Sequence, residues 1–175
     1  MAGGDRWRFE PLERSHIVQD FRCGKEDLDT YLKRYALTNH KKGTARAYVA
    51  VHPGERVVWG YFTLSNTELS ADLLEDEERR GLPRRIPGTL LGRMAVHSDL
   101  QRSEEKLGKR ILMNAFARAE HASQTVGSFF FLVDPLDEDA RRFYLRHGFK
   151  AVPGEPQRLL YPMTKIRELR LPPPE

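Results

Sequence analysis

The residues best suited to chemistry lie in one strand–loop–helix unit. The apolar stretch Leu90–Val96 predicts a strand, and Leu107–Leu112 predicts the first turns of a helix. A helix that begins after a strand can present backbone N–H groups to a phosphate. Lys106, Lys109 and Arg110 add positive charge at this helix start. Every α/β crossover has a strand followed by a helix, so the unit alone indicates an anion site without naming its ligand.

Several other chemistries lack their sequence signals. The histidines do not stand in HExxH or any other metal-ligand spacing, so no metal site is predicted. The chain has no GxSxG elbow, no Walker loop and no GxGxxG after a strand, which argues against hydrolase, P-loop and dinucleotide-binding functions. The single cysteine, Cys23, follows an arginine but has no evident histidine partner, and we interpret it as a packing residue.

Length and periodicity predict one α/β domain. The chain has 175 residues, 39% hydrophobic and 31% charged, as is typical of a soluble globular protein. We expect a single domain over residues 1–167 and a proline-rich tail over 168–175. The predicted order β-α-β-β-α-β-α-β-α-β indicates a mixed sheet flanked by helices. The predicted helices cover Lys25–Asn39, Leu69–Arg80, Lys106–Thr125 and Asp137–His147. The predicted strands cover Trp7–Phe9, Ala45–Val51, Val57–Leu64, Thr89–Val96, Ser128–Val133 and Arg158–Met163.

The charge distribution favours an anionic partner. The net charge is only +4, but Lys33–Arg46 and Arg79–Arg93 each contain five basic residues and no acid. Arginine makes up 21 of the 29 basic residues, and its guanidinium can contact phosphate through two hydrogen bonds. The N-terminal segment has no apolar run typical of a secretory signal, and no stretch is long enough to span a bilayer. With a single cysteine, these features favour the cytoplasm and no membrane association.

Four motifs resemble a known family. Leu90–Val96 and Ala140–Phe149 resemble the two signature stretches of the GCN5-related N-acetyltransferases. Phe21–Leu32 and Gly60–Ser65 are similar to the toxins of type II toxin–antitoxin systems within that family, which acetylate the α-amino group of aminoacyl-tRNA. The resemblance extends from about Phe9 to Lys165. It implies an α/β fold in which a mixed central sheet is flanked by helices and a splayed strand pair forms the acetyl-CoA cleft.

The resemblance implies acetyl-CoA as co-substrate and no metal. The strand would bind the pantetheine arm, and the loop and helix start would bind the pyrophosphate. The implied cofactor-binding residues are Met94, Ala95, Val96, Ser103, Lys106, Leu107, Gly108 and Lys109. The segment Gln101–Gly108 departs from the family pattern Gln-Gly-x-Gly-x-Gly, because it has two extra residues and keeps only the last glycine. Either Glu104 and Glu105 turn away from the phosphate, or the affinity for acetyl-CoA is reduced.

The resemblance also implies a catalytic role for Tyr144. A phenol near pKa ~10 is protonated at neutral pH and can protonate a departing thiolate. The competing interpretation is that Tyr144 is a core aromatic, but Ala140 and Phe143 already offer apolar anchors on the same helix. The strand Thr89–Val96 carries no carboxylate to act as a base. This absence favours an α-amine, at pKa ~7.7–8.0, over a lysine at pKa ~10.4.

The expected partners follow from the same resemblance. We expect aminoacyl-tRNA as substrate, a ribbon–helix–helix antitoxin protein as partner, and leave a homodimer open. Six cations on or near the first predicted helix and the central strand are candidate tRNA-binding residues. They are Lys33, Arg34, Lys41, Lys42, Arg46 and Arg93.

Two alternatives to the toxin function remain open at this stage. One is acetylation of a protein N-terminus or a small amine. The other is a binding module that keeps the acetyltransferase fold but not catalysis, because the altered Gln101–Gly108 loop no longer binds acetyl-CoA.

Overall fold

A computed structural model describes residues 6–175. Its strands are β1 Arg8–Pro11, β2 Arg46–Val51, β3 Gly60–Ser70, β4 Arg85–Val96, β5 Phe130–Val133, β6 Lys150–Val152 and β7 Glu155–Pro162. Its helices are α1 Glu26–Arg34, α2 Ala36–Lys42, α3 Asp76–Arg79, α4 Leu107–Ser123, α5 Glu138–Arg146 and α6 Met163–Glu168. The expectation about a secretory signal falls partly on residues 1–5, outside the described part.

The strands form one mixed sheet in the order β1-β2-β3-β4-β5-β7-β6. The β4–β5 pair is parallel, whereas β1–β2, β2–β3, β5–β7 and β6–β7 are antiparallel. The predicted mixed α/β sheet and the β2–β3 hairpin are therefore confirmed. No helix in residues 6–175 has the length and apolarity needed to cross a bilayer.

The chain divides into two compact units. The first takes in the chain up to Leu64, Arg93–Ala115 and Glu175. Its core joins the inner faces of α1 and α2 to the β2–β3 hairpin, because Leu28, Tyr31 and Leu32 recur at helical spacing while alternate hairpin residues point inward. The buried members of this core are Leu12, Phe21, Cys23, Tyr31, Leu32, Ala36, Ala47, Val49, Val51, Val58, Tyr61 and Ala95.

The second unit takes in Ser65–Gly92 and Phe116–Pro174. All four residues of β5 are buried, as its unbroken apolar run predicts for a strand covered on both faces. A cluster of aromatic rings surrounds Phe116, whose ring centroid lies 5.0 Å from that of Phe131 and 4.7 Å from that of Tyr161. The buried core lies on Leu69, Ala71, Leu74, Ile86, Phe130, Leu132, Val152 and Leu160.

Two predicted helices are wrong in extent. The predicted helix Leu69–Arg80 is instead the end of β3, a 3₁₀ turn at Ala71–Leu73 and the single turn of α3. Leu69 and Leu74 are drawn into the second core, and this burial outweighs the helix propensity of the acidic run. The predicted helix Lys25–Asn39 is interrupted at Tyr35, although neither proline nor glycine marks the break.

The C-terminal part holds two elements that the sequence did not predict. Strand β6 and helix α6 flank β7, and α6 ends at Glu168. The residues after it have no regular structure, but the Glu175 carboxylate accepts a hydrogen bond from the Arg8 guanidinium. The lack of regular structure in the tail is what its prolines predict.

Candidate active site

The end of β4 carries the first group of predicted cofactor residues. Its parallel ladder with β5 runs from the pair Gly88–Phe130 to the pair Leu91–Val133, where β5 ends. Strand β4 continues from Gly92 to Val96. Ala95 in this extension is buried, whereas Met94 and Val96 are half-buried. A strand that outlasts its parallel neighbour is the backbone arrangement expected for the splayed pair.

Gly60 in β3 lets the first turns of helix α4 pack against the sheet. A Cβ placed on Gly60 would lie 2.6 Å from Ile111 Cδ1, 3.2 Å from the Ala95 carbonyl oxygen and 3.5 Å from Leu107 Cδ2. Ile111 and Leu107 are both buried. The absence of a side chain at this point therefore determines how closely the start of α4 approaches the end of β4. The motif Gly60–Ser65 was recognised in the sequence, but the packing role of its glycine was not.

The loop before α4 adopts two backbone conformations that favour glycine. Arg102 has φ 62° and Lys106 has φ 50°, in the left-handed region that costs an ordinary residue about 1–2 kcal/mol. Both side chains are exposed, as are those of Lys109 and Glu104. The loop thus uses left-handed turns without the glycines of the family pattern.

One of the two acidic residues of this loop turns outward and the other does not. Glu104 is exposed. Glu105 is half-buried, with one carboxylate oxygen 3.7 Å from the Arg6 guanidinium and the other buried without a hydrogen-bond partner in the described structure. The Ser103 hydroxyl is likewise buried and lacks a partner among the described residues. A buried hydroxyl of this kind can still donate to a ligand oxygen, which fits the predicted role of Ser103 at a phosphate.

Gln101 connects this loop to the turn that precedes α1. Its side-chain amide nitrogen donates to the carbonyl oxygens of Cys23 at 2.7 Å and Val96 at 2.8 Å. Ser98 strengthens the junction, because its backbone N–H donates to the Arg22 carbonyl at 2.8 Å. The Cys23 backbone N–H in turn donates to the Asp29 carboxylate on α1 at 2.9 Å. The segment Phe21–Gly24 therefore connects α1 to the end of β4 and to the predicted pyrophosphate loop.

Cys23 serves this joint as a buried thiol. Burial is the main cause that raises its pKa to about 11, with a further contribution from its hydrogen bond with Asp29. The thiol is protonated at neutral pH and is a poor nucleophile, in agreement with the predicted packing role. Residues 6–175 contain no group of three or more histidine, cysteine or acidic side chains that could hold a metal ion.

Tyr144 is the buried anchor of helix α5. The Asp137 carboxylate caps this helix by accepting from the Ala140 backbone N–H at 2.9 Å. The Tyr144 ring lies 5.3 Å from the ring of Phe149, and Tyr144 is 6% exposed. Ala140 and Phe143 are only half-buried, so they do not anchor the helix in place of Tyr144, contrary to the prediction. Burial raises the pKa of the Tyr144 phenol above its usual range, and the hydroxyl keeps its proton at physiological pH.

The predicted tRNA-binding cations share two features. Each is exposed, and none forms an ion pair with a carboxylate in residues 6–175. They lie in the last turns of α1 and α2, at the start of β2 and on β4, all in the first unit. By contrast, Arg79, Arg142 and Lys150 in the second unit are ion-paired with carboxylates. The six cations are Lys33, Arg34, Lys41, Lys42, Arg46 and Arg93.

His40 shapes this basic surface without adding charge. Its Nδ1 accepts the Ala47 backbone N–H at 2.9 Å, and Arg46 donates to the His40 carbonyl at 3.1 Å. Burial, and secondarily the charge of Arg46, lower the pKa of His40. The imidazole is therefore neutral at neutral pH, and it connects the end of α2 to the start of β2.

Comparison with known proteins gives a consistent set of relatives. No protein-family model matches the chain. A curated tRNA-acetylating toxin of Mycobacterium tuberculosis (strain ATCC 25618 / H37Rv) is 34% identical over 152 residues, which cover 87% of this chain and 89% of that protein. The structure of AtaT complexed with acetyl-methionyl-tRNAfMet matches with a TM-score of 0.86 and 28% identity, covering 94% of this chain and 99% of that one.

A second solved structure combines a relative with two ligands. It is a tyrosine-to-phenylalanine mutant of the AtaT toxin bound to the C-terminus of the antitoxin AtaR and to acetyl-CoA. Its TM-score is 0.80 at 28% identity, over 96% of this chain and 100% of that one. The fold and these relatives define a GCN5-related N-acetyltransferase. Within that class, the chain belongs to the toxin branch of tRNA-acetylating enzymes.

Proposed function

We propose that this chain transfers an acetyl group from acetyl-CoA to the α-amino group of an aminoacyl-tRNA and thereby blocks translation. The observation that carries the proposal is its 34% identity, over most of both chains, to a protein named for tRNA acetylation. The complex of AtaT with acetyl-methionyl-tRNAfMet supports the same substrate class. We assign the activity to one acetyltransferase domain over residues 1–167.

Acetyl-CoA supplies an acetyl group activated as a thioester, and we assign its binding to the end of β4 and the start of α4. The backbone of Met94, Ala95 and Val96 would hold the pantetheine arm. The phosphate-binding assignment is supported by the buried Ser103 hydroxyl and by two exposed lysines at the helix start. The residues assigned to the pyrophosphate are Ser103, Lys106, Leu107, Gly108 and Lys109.

Tyr144 carries a proton that this reaction can use. Its buried phenol is protonated at every pH at which the enzyme would work. We propose that the α-amine nitrogen attacks the thioester carbonyl and loses its extra proton to water, so that the C–N bond forms as the C–S bond breaks. The Tyr144 hydroxyl gives its proton to the departing sulfur of coenzyme A and regains one from solvent afterwards. The chain needs no strong base if the acceptor is an α-amine, because that group is already partly neutral at pH 7.

We further propose that the protein acts in the cytoplasm, where charged tRNA is present, and that an antitoxin inhibits it. The binding of AtaT to the C-terminus of AtaR supports an antitoxin partner. A ribbon–helix–helix antitoxin and a homodimer are the finer assignments that we attach to this proposal. Size-exclusion chromatography with light scattering of the protein alone tests the homodimer, and a structure of the complex with its antitoxin tests the ribbon–helix–helix assignment.

The decisive experiment incubates the protein with charged total tRNA and labelled acetyl-CoA. Label is expected on the α-amino group of an aminoacyl-tRNA, and not on deacylated tRNA, free amines or peptides. The Tyr144→Phe variant should transfer acetyl roughly 10²–10⁴-fold more slowly, since a positioned general acid contributes about that much. Its affinity for acetyl-CoA by calorimetry should be unchanged, because the ring remains.

Three outcomes would count against the proposal. Label on peptides or small amines alone would favour the other acetyltransferase function. Failure of the wild-type protein to bind acetyl-CoA would favour the non-catalytic module. A near-normal rate in the variant would make Tyr144 a packing residue. Circular dichroism of the variant controls for misfolding.

The six unpaired cations predict how binding of tRNA depends on salt. Replacing Lys41, Lys42 and Arg46 by alanine should reduce the slope of log K against log salt concentration by roughly 2–3, if each contacts one phosphate. A matched triple replacement of Arg79, Arg142 and Lys150 removes the same charge from ion-paired positions and should leave the slope nearly unchanged. Equal slopes for the two triple variants would place the RNA surface elsewhere.

A further inference from the structure

Tyr35 exposes an aromatic ring at a rigid break between two helices. The residue lies between α1 and α2, with φ −118° and ψ −30°, and is 54% exposed. Its backbone N–H donates to the Tyr31 carbonyl at 2.9 Å, and its carbonyl accepts from the Asn39 N–H at 3.0 Å. The next residue, Ala36, is completely buried. The backbone thus holds the ring at the surface.

Arg93 lies over the ring of Tyr31, which is the neighbour of the Tyr35 ring. Its guanidinium carbon lies 3.8 Å from the centroid of the Tyr31 ring, a cation–π contact that orients the charged group. The Tyr31 ring lies 6.5 Å from the Tyr35 ring, at an interplanar angle of 33°. The Arg93 backbone N–H donates to the Thr63 hydroxyl at 3.0 Å, and Thr63 is 2% exposed. The backbone of Arg93 and the backbone of Tyr35 are therefore both held by hydrogen bonds within the first unit.

The surroundings of Tyr35 are cationic. Lys33 and Arg34 directly precede it in the chain, and both are exposed and unpaired among the described residues. An exposed aromatic ring among unpaired cations is the combination with which proteins bind single-stranded nucleic acid, because the ring stacks on a base while the cations contact the backbone. A base inside an RNA helix has both faces stacked already, so only an unpaired nucleotide can use the ring.

We propose that Tyr35 and the Tyr31-supported Arg93 form a subsite for an unpaired nucleotide of the RNA substrate, in which the base stacks on Tyr35 and its phosphate contacts Arg93. This subsite rests on the proposed function, because tRNA is taken as the substrate. It is the place where the first unit would recognise one part of the tRNA. The unpaired 3′ segment that carries the amino acid is the part of tRNA with this chemistry.

The test measures binding of deacylated tRNA without acetyl-CoA, so that it does not depend on catalysis. Wild type and Tyr35→Ala are each titrated with intact tRNA and with tRNA whose unpaired 3′ nucleotides have been removed. Tyr35→Ala should weaken binding of intact tRNA roughly 5–150-fold, which is the range measured for loss of one base–aromatic stack. It should leave binding of the truncated tRNA unchanged, because the stacking nucleotide is then already absent.

Further variants separate stacking from other effects. Tyr35→Phe keeps the ring and should bind intact tRNA nearly as well as wild type. Tyr35→Leu keeps apolar bulk without a π face and should behave like Tyr35→Ala. Phe129→Ala removes another exposed aromatic, in the second unit, and should not alter RNA binding. Thermal melting of each variant shows that the fold is retained.

The following results would overturn the proposal. Equal weakening with intact and truncated tRNA would mean that Tyr35 contacts the duplex. Unchanged RNA affinity in Tyr35→Leu would exclude stacking. If Tyr35→Leu also lost affinity for the antitoxin, the surface around Tyr35 would be a protein interface. If the tRNA is not acetylated but the dependence on the 3′ segment persists, the subsite stands and the proposed reaction fails.

Discussion

Gly60→Ala perturbs the packing of β3 against the start of α4 by one methyl group. The new Cβ would lie 2.6 Å from Ile111 Cδ1 and 3.2 Å from the Ala95 carbonyl oxygen, both below ordinary contact distance. Overpacking of a core by a methyl group costs about 1–3 kcal/mol, and alanine recovers about 0.4–1 kcal/mol by restricting the unfolded chain. We expect a net destabilisation of about 0.6–2 kcal/mol, or roughly 1–8 °C in Tm for a chain of this length.

The assay is a double-mutant cycle with Ile111→Val, which removes the Cδ1 atom that the new methyl group would meet. Ile111→Val alone should cost about 0.5–1.5 kcal/mol. The double variant should be more stable than the sum of the two single changes predicts, with a coupling energy on the order of 1 kcal/mol. Chemical denaturation measures the free energy of unfolding of the two single variants and the double variant. The KM for acetyl-CoA should rise in Gly60→Ala and recover in the double variant, because the start of α4 returns to its position.

Additive energies in this cycle would refute the reasoning, since they would show that Gly60 and Ile111 do not share a contact. A wild-type KM in Gly60→Ala, at reduced stability, would show that the position of the start of α4 does not control cofactor binding.

Two further predictions concern the loop before α4. Gln101→Met removes two hydrogen bonds worth roughly 0.5–1.5 kcal/mol each, so it should lower Tm and raise the KM for acetyl-CoA with kcat unchanged. The control Gln124→Met, which removes an exposed hydrogen bond to Glu120, should be neutral in both assays. A neutral Gln101→Met would contradict the role of Gln101 in holding the loop. Lys106→Gly should relieve left-handed strain and raise the free energy of unfolding by up to about 1 kcal/mol, yet weaken acetyl-CoA binding. The control Arg102→Gly should gain similar stability without losing affinity for acetyl-CoA. If calorimetry gives the two variants equal affinities for acetyl-CoA, Lys106 is not part of the binding site.

Local patterns in the sequence were sufficient for most elements. The apolar face of α4 predicted that helix to within a few residues, and the predicted helix Asp137–His147 matches α5 equally well. The unbroken apolar run before α5 predicted β5. The hairpin of β2 and β3 followed from two strand patterns around a turn. These signals are local, because helix and strand periodicity and capping depend on neighbouring residues.

Local patterns failed where distant contacts decide the conformation. Leu69 lies in a highly charged segment whose sequence predicts a helix, but packing in the core of the second unit places it in β3. No breaker residue marks the interruption at Tyr35. Such burial depends on residues far away in the chain, so no window of sequence contains the information.

The sequence by itself determined the family, through the resemblance of its motifs, and that resemblance implied the class of reaction and the candidate residues. Only the tertiary structure decided how the site is supported: the amide of Gln101 reaches Cys23 across 78 positions in the chain, Gly60 accommodates Ile111, and Tyr144 rather than Phe143 anchors α5. The physical reason is that hydrogen bonds and packing join residues by their distance in space, whereas periodicity and motifs record only their distance along the chain.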